Sequence, residues 1–267
     1  MSDVIDNYAA EGVLERILEA LSGAGVDVDR LDPETLAGVD QFHLLGAGAT
    51  RELGQRIGAH PGMQVVDLGS GLGGPARLLA QEFGATLRGV DLSLGFVDAA
   101  EELTRRCGLA DRVTFQVGDI TDLPWPDASA DAAVMLHVNM NVGDKAAIFG
   151  EAARVLRPGG RFALWEICRG EEGSLSYPVP WAADPSISFL ATPEELQAVA
   201  SNAGFTVLMW DDLTDSARAF FERLVAEGPP PGPGLGDILP DFAERLANVA
   251  AGVAGGSVRT IQGLLER

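Results

Sequence analysis

The run Asp67-Leu68-Gly69-Ser70-Gly71-Leu72-Gly73-Gly74 sets a carboxylate directly before glycines spaced G-x-G-x-x-G. Glycines so spaced let the backbone turn sharply and come close to a ligand, with a helix N-terminus behind them. Two more carboxylates follow in order. Asp91 lies about 20 residues beyond the loop, where a carboxylate bonds ribose hydroxyls. Asp119, in Gly118-Asp119-Ile120, can accept an adenine amino group while Ile120 covers the ring. The loop with Asp91 alone suits a nicotinamide dinucleotide as well as any other adenosyl ligand.

Asp67 separates those ligands. Facing a pyrophosphate, it would bring two anions together in a partly dry site, at a cost on the order of kcal/mol. S-adenosylmethionine has no phosphate and carries an ammonium and a sulfonium, which a carboxylate suits. The plainer alternative is that Asp67 caps the loop by accepting from its backbone N–H groups. Methyl transfer from a sulfonium is an in-line displacement, so alignment matters more than acid–base help, and a base matters most when the acceptor is a hydroxyl or an acidic carbon.

Side chains that could meet an acceptor are scattered. His137 follows the fourth expected strand, at the carboxyl edge where open α/β sheets bind ligands, and reads as a substrate contact or general base, or as a residue orienting its loop. His43 shares a polar cluster with Gln41 in an N-terminal cover, and Gln41 and Tyr8 are within reach of a cofactor from there. Glu166, ending the fifth strand, suits a cationic substrate or an arginine. Trp181, between Pro180 and Ala182, suits an apolar pocket wall or the core. His60, beside Pro61-Gly62, reads as a surface loop residue.

Apolar residues recur at helical spacing over 4–24, and Asp32-Pro33-Glu34 opens a helical stretch over 33–58 with a loop expected at Gly46-Ala47-Gly48-Ala49. From residue 63 short apolar runs alternate with amphipathic ones: strands at 64–68, 86–91, 113–117, 130–136, 161–167 and 205–210, with helices between them. Arg157-Pro158-Gly159-Gly160 reads as the stop of a helix over 145–156. This alternation predicts an α/β fold with helices on both faces of a mostly parallel sheet. The division is a helical cover over 1–62, a cofactor-binding core over 63–210, a mostly helical stretch over 211–257 broken by a proline-rich loop at 229–234, and a final strand over 258–267.

The chain has 267 residues, is 46% hydrophobic and carries a formal charge of −20, so a packed core is expected and a nucleic-acid or anionic-membrane partner is not. Cys107 and Cys168 give neither a disulfide framework nor a metal spacing, and His43, His60 and His137 form no zinc motif. With no signal peptide or membrane-length apolar run, a reducing cytoplasm is the expected compartment.

These motifs, together with Arg154-Val155-Leu156-Arg157-Pro158-Gly159-Gly160 before the fifth strand, resemble class I S-adenosylmethionine-dependent methyltransferases. Asp40-Gln41-Phe42-His43 with Gly46 to Thr50, His137-Val138-Asn139-Met140-Asn141 and Tyr177-Pro178-Val179-Pro180-Trp181 are similar to a bacterial small-molecule subgroup, that of sarcosine and dimethylglycine N-methyltransferases and ubiquinone-biosynthesis C-methyltransferases. The resemblance implies a Rossmann-like seven-stranded sheet with an antiparallel last strand and a helical lid over 211–257. It implies S-adenosylmethionine as cofactor, with Asp67 and the backbone of Gly69 and Gly71 at the methionine portion. Asp91 would meet the ribose, Leu92 the adenine, Asp119 and Ile120 the adenine edge and face, and the Leu136 carbonyl the ammonium. Gly46-Ala47 departs from the subgroup's Gly-Gly, which leaves that loop's shape open. The acceptor is expected to be a small secondary metabolite with an amine or hydroxyl, or a carbon, to methylate; a homo-oligomer is compatible with the sequence. The competing classes are an NAD(P)-dependent oxidoreductase and a non-catalytic cofactor-binding protein.

Overall fold

The computed structural model describes residues 11–267. Tyr8 and the start of the helix expected over 4–24 lie outside them. The described chain begins with α1 (Val13–Gly23), α2 (Pro33–Asp40) and α3 (Gly46–Ile57). The core follows as β1 (Gln64–Leu68), α4 (Gly74–Phe83), β2 (Thr86–Asp91), α5 (Leu94–Arg106), β3 (Val113–Val117), β4 (Ala130–Leu136), α6 (Lys145–Val155), β5 (Leu156–Arg169), α7 (Pro193–Asn202) and β6 (Thr206–Asp212). Then come α8 (Thr214–Glu227), the short α9 (Leu235–Ile238), α10 (Phe242–Ala254) and β7 (Val258–Glu266).

The strands form one sheet in the order β3-β2-β1-β4-β5-β7-β6. β7 runs antiparallel to both β5 and β6, and the other pairings are parallel, as the resemblance implied. The chain steps outward from β1 to β3 and then returns to the other side of β1 for β4. That reversal opens a crevice at the carboxyl ends of β1 and β4, the place where open α/β sheets take ligands.

Both sheet faces are covered, which is why the central strands read as apolar runs and not as alternating ones. One face packs under α3, α4 and α5, through Leu53, Ile57, Leu79, Val97 and Ala100. The other packs under α6 and α7, through Ile148, Phe149, Val155 and Leu196. A third cluster joins α1, α2, α5 and α9 through Ile17, Leu36, Leu103 and Ile238. A fourth joins α8 and α10 to the loops above β4 and β5, through Phe221, Val249, Met140, Val179 and Trp181.

Two expectations are corrected. The break in the 33–58 helical stretch is at residues 41–45, and Gly46 to Ala49 form the first turn of α3. Gln41 and His43 are drawn into the interior, 4% and 9% exposed, which unwinds the chain there; Leu45 then turns into α3 through the left-handed region at φ 68°. Arg157-Pro158-Gly159-Gly160 is part of β5, not only a helix stop. The ladder shifts register between Ala130 and Ala132, and Gly159 N–H donates to the Arg267 carbonyl while Arg267 N–H donates to Gly160, so the turn is held as an irregularity within the sheet.

Candidate active site

The glycine loop leaves β1 at Leu68. Gly69, Gly71 and Gly73 all take left-handed φ values, 75°, 50° and 75°. The loop closes on itself and on β2: Gly69 and Ser70 N–H both donate to the Val90 carbonyl, and Gly73 N–H donates to Ser70. A side chain at Gly69 would come within 2.5 Å of Val138, so only glycine fits between the loop and the turn after β4. At Gly71 a side chain would meet nothing within 4 Å, which marks the open side of the loop.

Asp91 ties this loop to β2. Its Oδ2 accepts from Gly71 N–H at 2.8 Å and its Oδ1 from Ser93 N–H at 2.9 Å; burial raises its pKa against those two bonds. Asp67 is 2% exposed and its Oδ2 has no partner. Burial first, and the neighbouring Asp91 second, push its pKa up to about 7. The loop amides bond Val90, Ser70 and Asp91, so the capping role weighed for Asp67 is carried by other groups. Ser70 Oγ is also buried without a partner. An unpaired carboxylate beside an open glycine fits a ligand that brings a cation, and not one that brings phosphate.

The remaining expected cofactor residues lie along the same edge. Leu92, half-buried, follows Asp91. Asp119 Oδ1 accepts from Thr121 N–H at 2.8 Å and from its hydroxyl at 2.7 Å, which fixes the carboxylate while its other oxygen is not engaged by that turn. Ile120, 5% exposed, packs in the cluster holding Val66, Leu68 and Val90. Leu136 ends β4 opposite Trp165.

The two histidines singled out from distant sequence positions meet. The rings of His43 and His137 lie 6.1 Å apart, edge to face. His43 Nε2 lies 3.0 Å from the Gly46 carbonyl and 3.2 Å from Thr50 Oγ. A carbonyl only accepts, so Nε2 carries the proton and Nδ1 the lone pair. Thr50 in turn donates to Gln41 Oε1 at 2.7 Å, and Gln41 Nε2 reaches Asp40 at 3.5 Å. Asp40 forms a fully buried ion pair with Arg77 at 2.7 Å. Arg77, on α4, also donates to Leu72, Ala100 and Thr104, and a side chain at Gly74 would collide with Asp40, so the cover is locked to the helix behind the glycine loop. Burial holds the His43 pKa down at about 4 and that of His137 well below the ordinary histidine value, His43 adding to the latter effect. Both imidazoles are therefore neutral at pH 7. His137 occupies the left-handed region at φ 55°, unusual for a non-glycine residue, and its Nε2 has no partner.

Glu166 and Trp181 have other tasks. Glu166 is fully buried and accepts from the N–H groups of Val138 and Asn139 and, at 2.6 Å, from Asn139 Nδ2. It braces the turn that carries His137 instead of presenting charge to a substrate, and burial pushes its pKa up to about 7. Lys145, the chain's single lysine, donates to the Asn139 and Val142 carbonyls of the same turn. Trp181 is 1% exposed, donates to Ser188 Oγ at 2.9 Å and accepts through its carbonyl from Asn141, so it anchors the fourth cluster. Sequence reasoning met Asp40, Thr50 and Asn139 only as members of motifs, gave them no role, and did not single out Lys145 or Arg77. The lone lysine beside two asparagines was a signal that could have found part of this set; nothing local marked the ion pair. Among the described residues no helix is long and apolar enough to cross a membrane, and no cluster of metal-ligating side chains occurs.

Residues 66–164 match the methyltransferase domain family. Over 213 residues the chain is 31% identical to the methyltransferase GfsG of Streptomyces halstedii, covering 78% of this chain and 73% of that protein. It is 30% identical over 210 residues to the O-methyltransferase resE of Aspergillus sclerotiorum, covering 75% and 76%. The fold matches the geranyl diphosphate C-methyltransferase of Streptomyces coelicolor A3(2), a structure in complex with S-adenosyl-L-homocysteine, with a TM-score of 0.68 at 21% identity over 84% of this chain and 79% of that one. The chain belongs to the class I S-adenosylmethionine-dependent methyltransferases and is an enzyme.

Proposed function

We propose that the methyl acceptor is a hydroxyl of an uncharged, largely apolar secondary metabolite, and that His137 takes the hydroxyl proton with His43 beside it. The observation that carries this reading is the buried, neutral His137 imidazole with an unpartnered Nε2 at the carboxyl edge of β4. A neutral imidazole accepts a proton; a hydroxyl acceptor needs that help, whereas a free amine does not. Leu44 and Leu45 follow His43, and Met140 follows the His137 turn, so the surroundings are apolar. The O-methyltransferase resE, similar over three quarters of each chain, supports the same acceptor chemistry.

On this reading Asp67 and the backbone of Gly69 and Gly71 hold the ammonium side of the cofactor, helped by the Leu136 carbonyl. Asp91 takes the ribose hydroxyls, Leu92, Asp119 and Ile120 surround the adenine, and Gln41 closes the site from the cover. When bound, S-adenosylmethionine supplies an electrophilic methyl on sulfur. The protein's work is to align the hydroxyl, exclude water beneath the cover and hold the released proton on His137. The free Cys107 and Cys168 agree with a reducing cytoplasm.

A screen with S-adenosylmethionine tritiated in the methyl group, offering neutral alcohols and phenols beside primary and secondary amines, tests the reading. Label is expected in hydroxyl acceptors, in a manner that depends on His137. Transfer to amines alone, undiminished in His137→Asn, would overturn it.

A further inference from the structure

On the sheet face beneath α3, neighbouring strands carry polar side-chain atoms with no partner: Trp165 Nε1, Thr260 Oγ and both amide atoms of Gln262. These residues are 2%, 1% and 0% exposed. Trp165 on β5 stands opposite Gln262 on β7, and Thr260 opposite Ile167. On its other side Trp165 stands opposite Leu136, the residue before His137. Residues directly opposite, and those two apart on a strand, share a sheet face, so the three side chains form one polar strip that leads to the His137 turn. His137 Nε2, likewise without a partner, stands at its end.

The strip lies where the cover and the lid converge. Leu45, two residues after His43, packs against both the cluster that contains Trp165 and the cluster that contains Phe221 of α8. The first turn of α8 is tied to Thr260 itself: Leu213 N–H donates to its carbonyl at 2.7 Å, and its N–H donates to Thr214 Oγ at 3.1 Å. Burying hydrogen-bonding atoms unpaired is costly, and a row of them leading to the His137 turn calls for a partner that is not protein.

The geometry points to an acceptor-recognition subsite formed by Trp165, Thr260 and Gln262, which binds an uncharged carbonyl- or hydroxyl-bearing part of the methyl acceptor while the reacting hydroxyl lies at His137. The indole N–H only donates, the hydroxyl and the amide both donate and accept, and no charged side chain belongs to the strip. Its complement is therefore a neutral oxygen function such as a ketone, ester or second hydroxyl. The inference rests on the reading that the acceptor reaches His137.

The test uses the full-length protein saturated with S-adenosylhomocysteine and labelled with 15N at its tryptophan indoles, the Trp165 signal being assigned with Trp165→Phe. The probe is 4-hydroxyacetophenone, which carries a hydroxyl and a ketone, and the charged control is 4-hydroxybenzoate. The neutral probe is expected to shift the Trp165 N–H resonance, with binding about tenfold weaker in Gln262→Met and in Thr260→Val, the scale of one lost hydrogen bond. The control is expected to leave the resonance in place. Retained S-adenosylhomocysteine binding certifies that each variant is folded, and the wild-type titration decides the matter even if one is not. A Trp165 resonance unmoved by the neutral probe at millimolar concentration, or moved alike in wild type and both variants, would mean that water satisfies the strip and would overturn the subsite. Labelled methyl transfer to the probe in wild type and His137→Asn is measured in parallel. Binding at the strip without His137-dependent transfer would sink the hydroxyl-transfer reading and leave the subsite standing.

Discussion

The carboxyl ends of β1, β2 and β3 differ from those of β4 and β5, with the amino end of the antiparallel β7 beside them, in how each makes a site. The first region is built from backbone: left-handed glycines, amides tied to Val90 and Asp91, and a carboxylate at Asp67 left unpaired. Its parts lie in one short motif plus two strand ends. The second region is built from side chains that come together from far apart, His43 from the cover and His137 from the turn after β4, each held by its own buried network. On the proposed reading, a ligand common to many enzymes is met by main-chain geometry, whereas the acceptor is met by side chains outside the loop. The regions touch where Val138 presses on Gly69.

The contrast predicts separable failures. The largest effect is expected for His137→Asn, since asparagine tolerates the left-handed conformation and keeps the turn. Turnover should fall roughly 10²- to 10⁴-fold, the usual worth of a positioned base, with S-adenosylhomocysteine affinity unchanged by calorimetry.

Asp67→Asn should do the reverse, weakening cofactor binding on the order of 100-fold through loss of a buried charge partner. It should also stabilise the ligand-free protein. Asp67 has its folded pKa raised to about 7, so the folded state binds its proton more tightly than the unfolded chain does. Ionising it destabilises the fold progressively from about pH 4 to above pH 7. Thermal melts should therefore show a higher Tm for Asp67→Asn at pH 8 and a difference that vanishes below about pH 4.

Glu166→Gln is the variant that both regions should feel, because it puts an amide where Val138 and Asn139 N–H groups need an acceptor. Turnover about tenfold lower and cofactor binding about threefold weaker are expected, with a Tm lower by several degrees. Loss of turnover with cofactor binding untouched would show that the contact at Val138 and Gly69 does not join the two regions. The smallest effect expected is none. In Glu166→Gln, where the one carboxyl at the His137 turn that titrates near 7 is gone, turnover at saturating cofactor should stay flat from pH 8 down to about pH 5, because His43 is held at about 4 and His137 is also low. An acid limb near pH 6.5 in that profile would contradict the buried, neutral imidazoles.

The same contrast explains what could be read from the chain alone. Strand runs, the glycine loop, Asp91 and Asp119 were legible because each is local: a period, a turn or a strand end. His137 was legible by its place after a strand, but its meeting with His43 was not, since that depends on how α2 and α3 dock. The break at residues 41–45 was misplaced toward the glycines because burial of Gln41 and His43, a tertiary effect, overrode local turn signals. Glu166 looked like a charge for a substrate; only the sheet shows that its oxygens serve the turn on the neighbouring strand. The strip on β5 and β7 was invisible because its members become neighbours only through an antiparallel register.

The most direct test of the account is a calorimetric titration of S-adenosylhomocysteine into wild type and Asp67→Asn between pH 5.5 and 8. The buried carboxylate must be ionised to hold the ligand ammonium, so wild-type affinity should fall below pH 7 by up to about tenfold per pH unit. The variant should bind weakly with no such slope. Equal affinity of the two proteins at pH 8, or a wild-type affinity indifferent to pH across 7, would contradict the role given to Asp67.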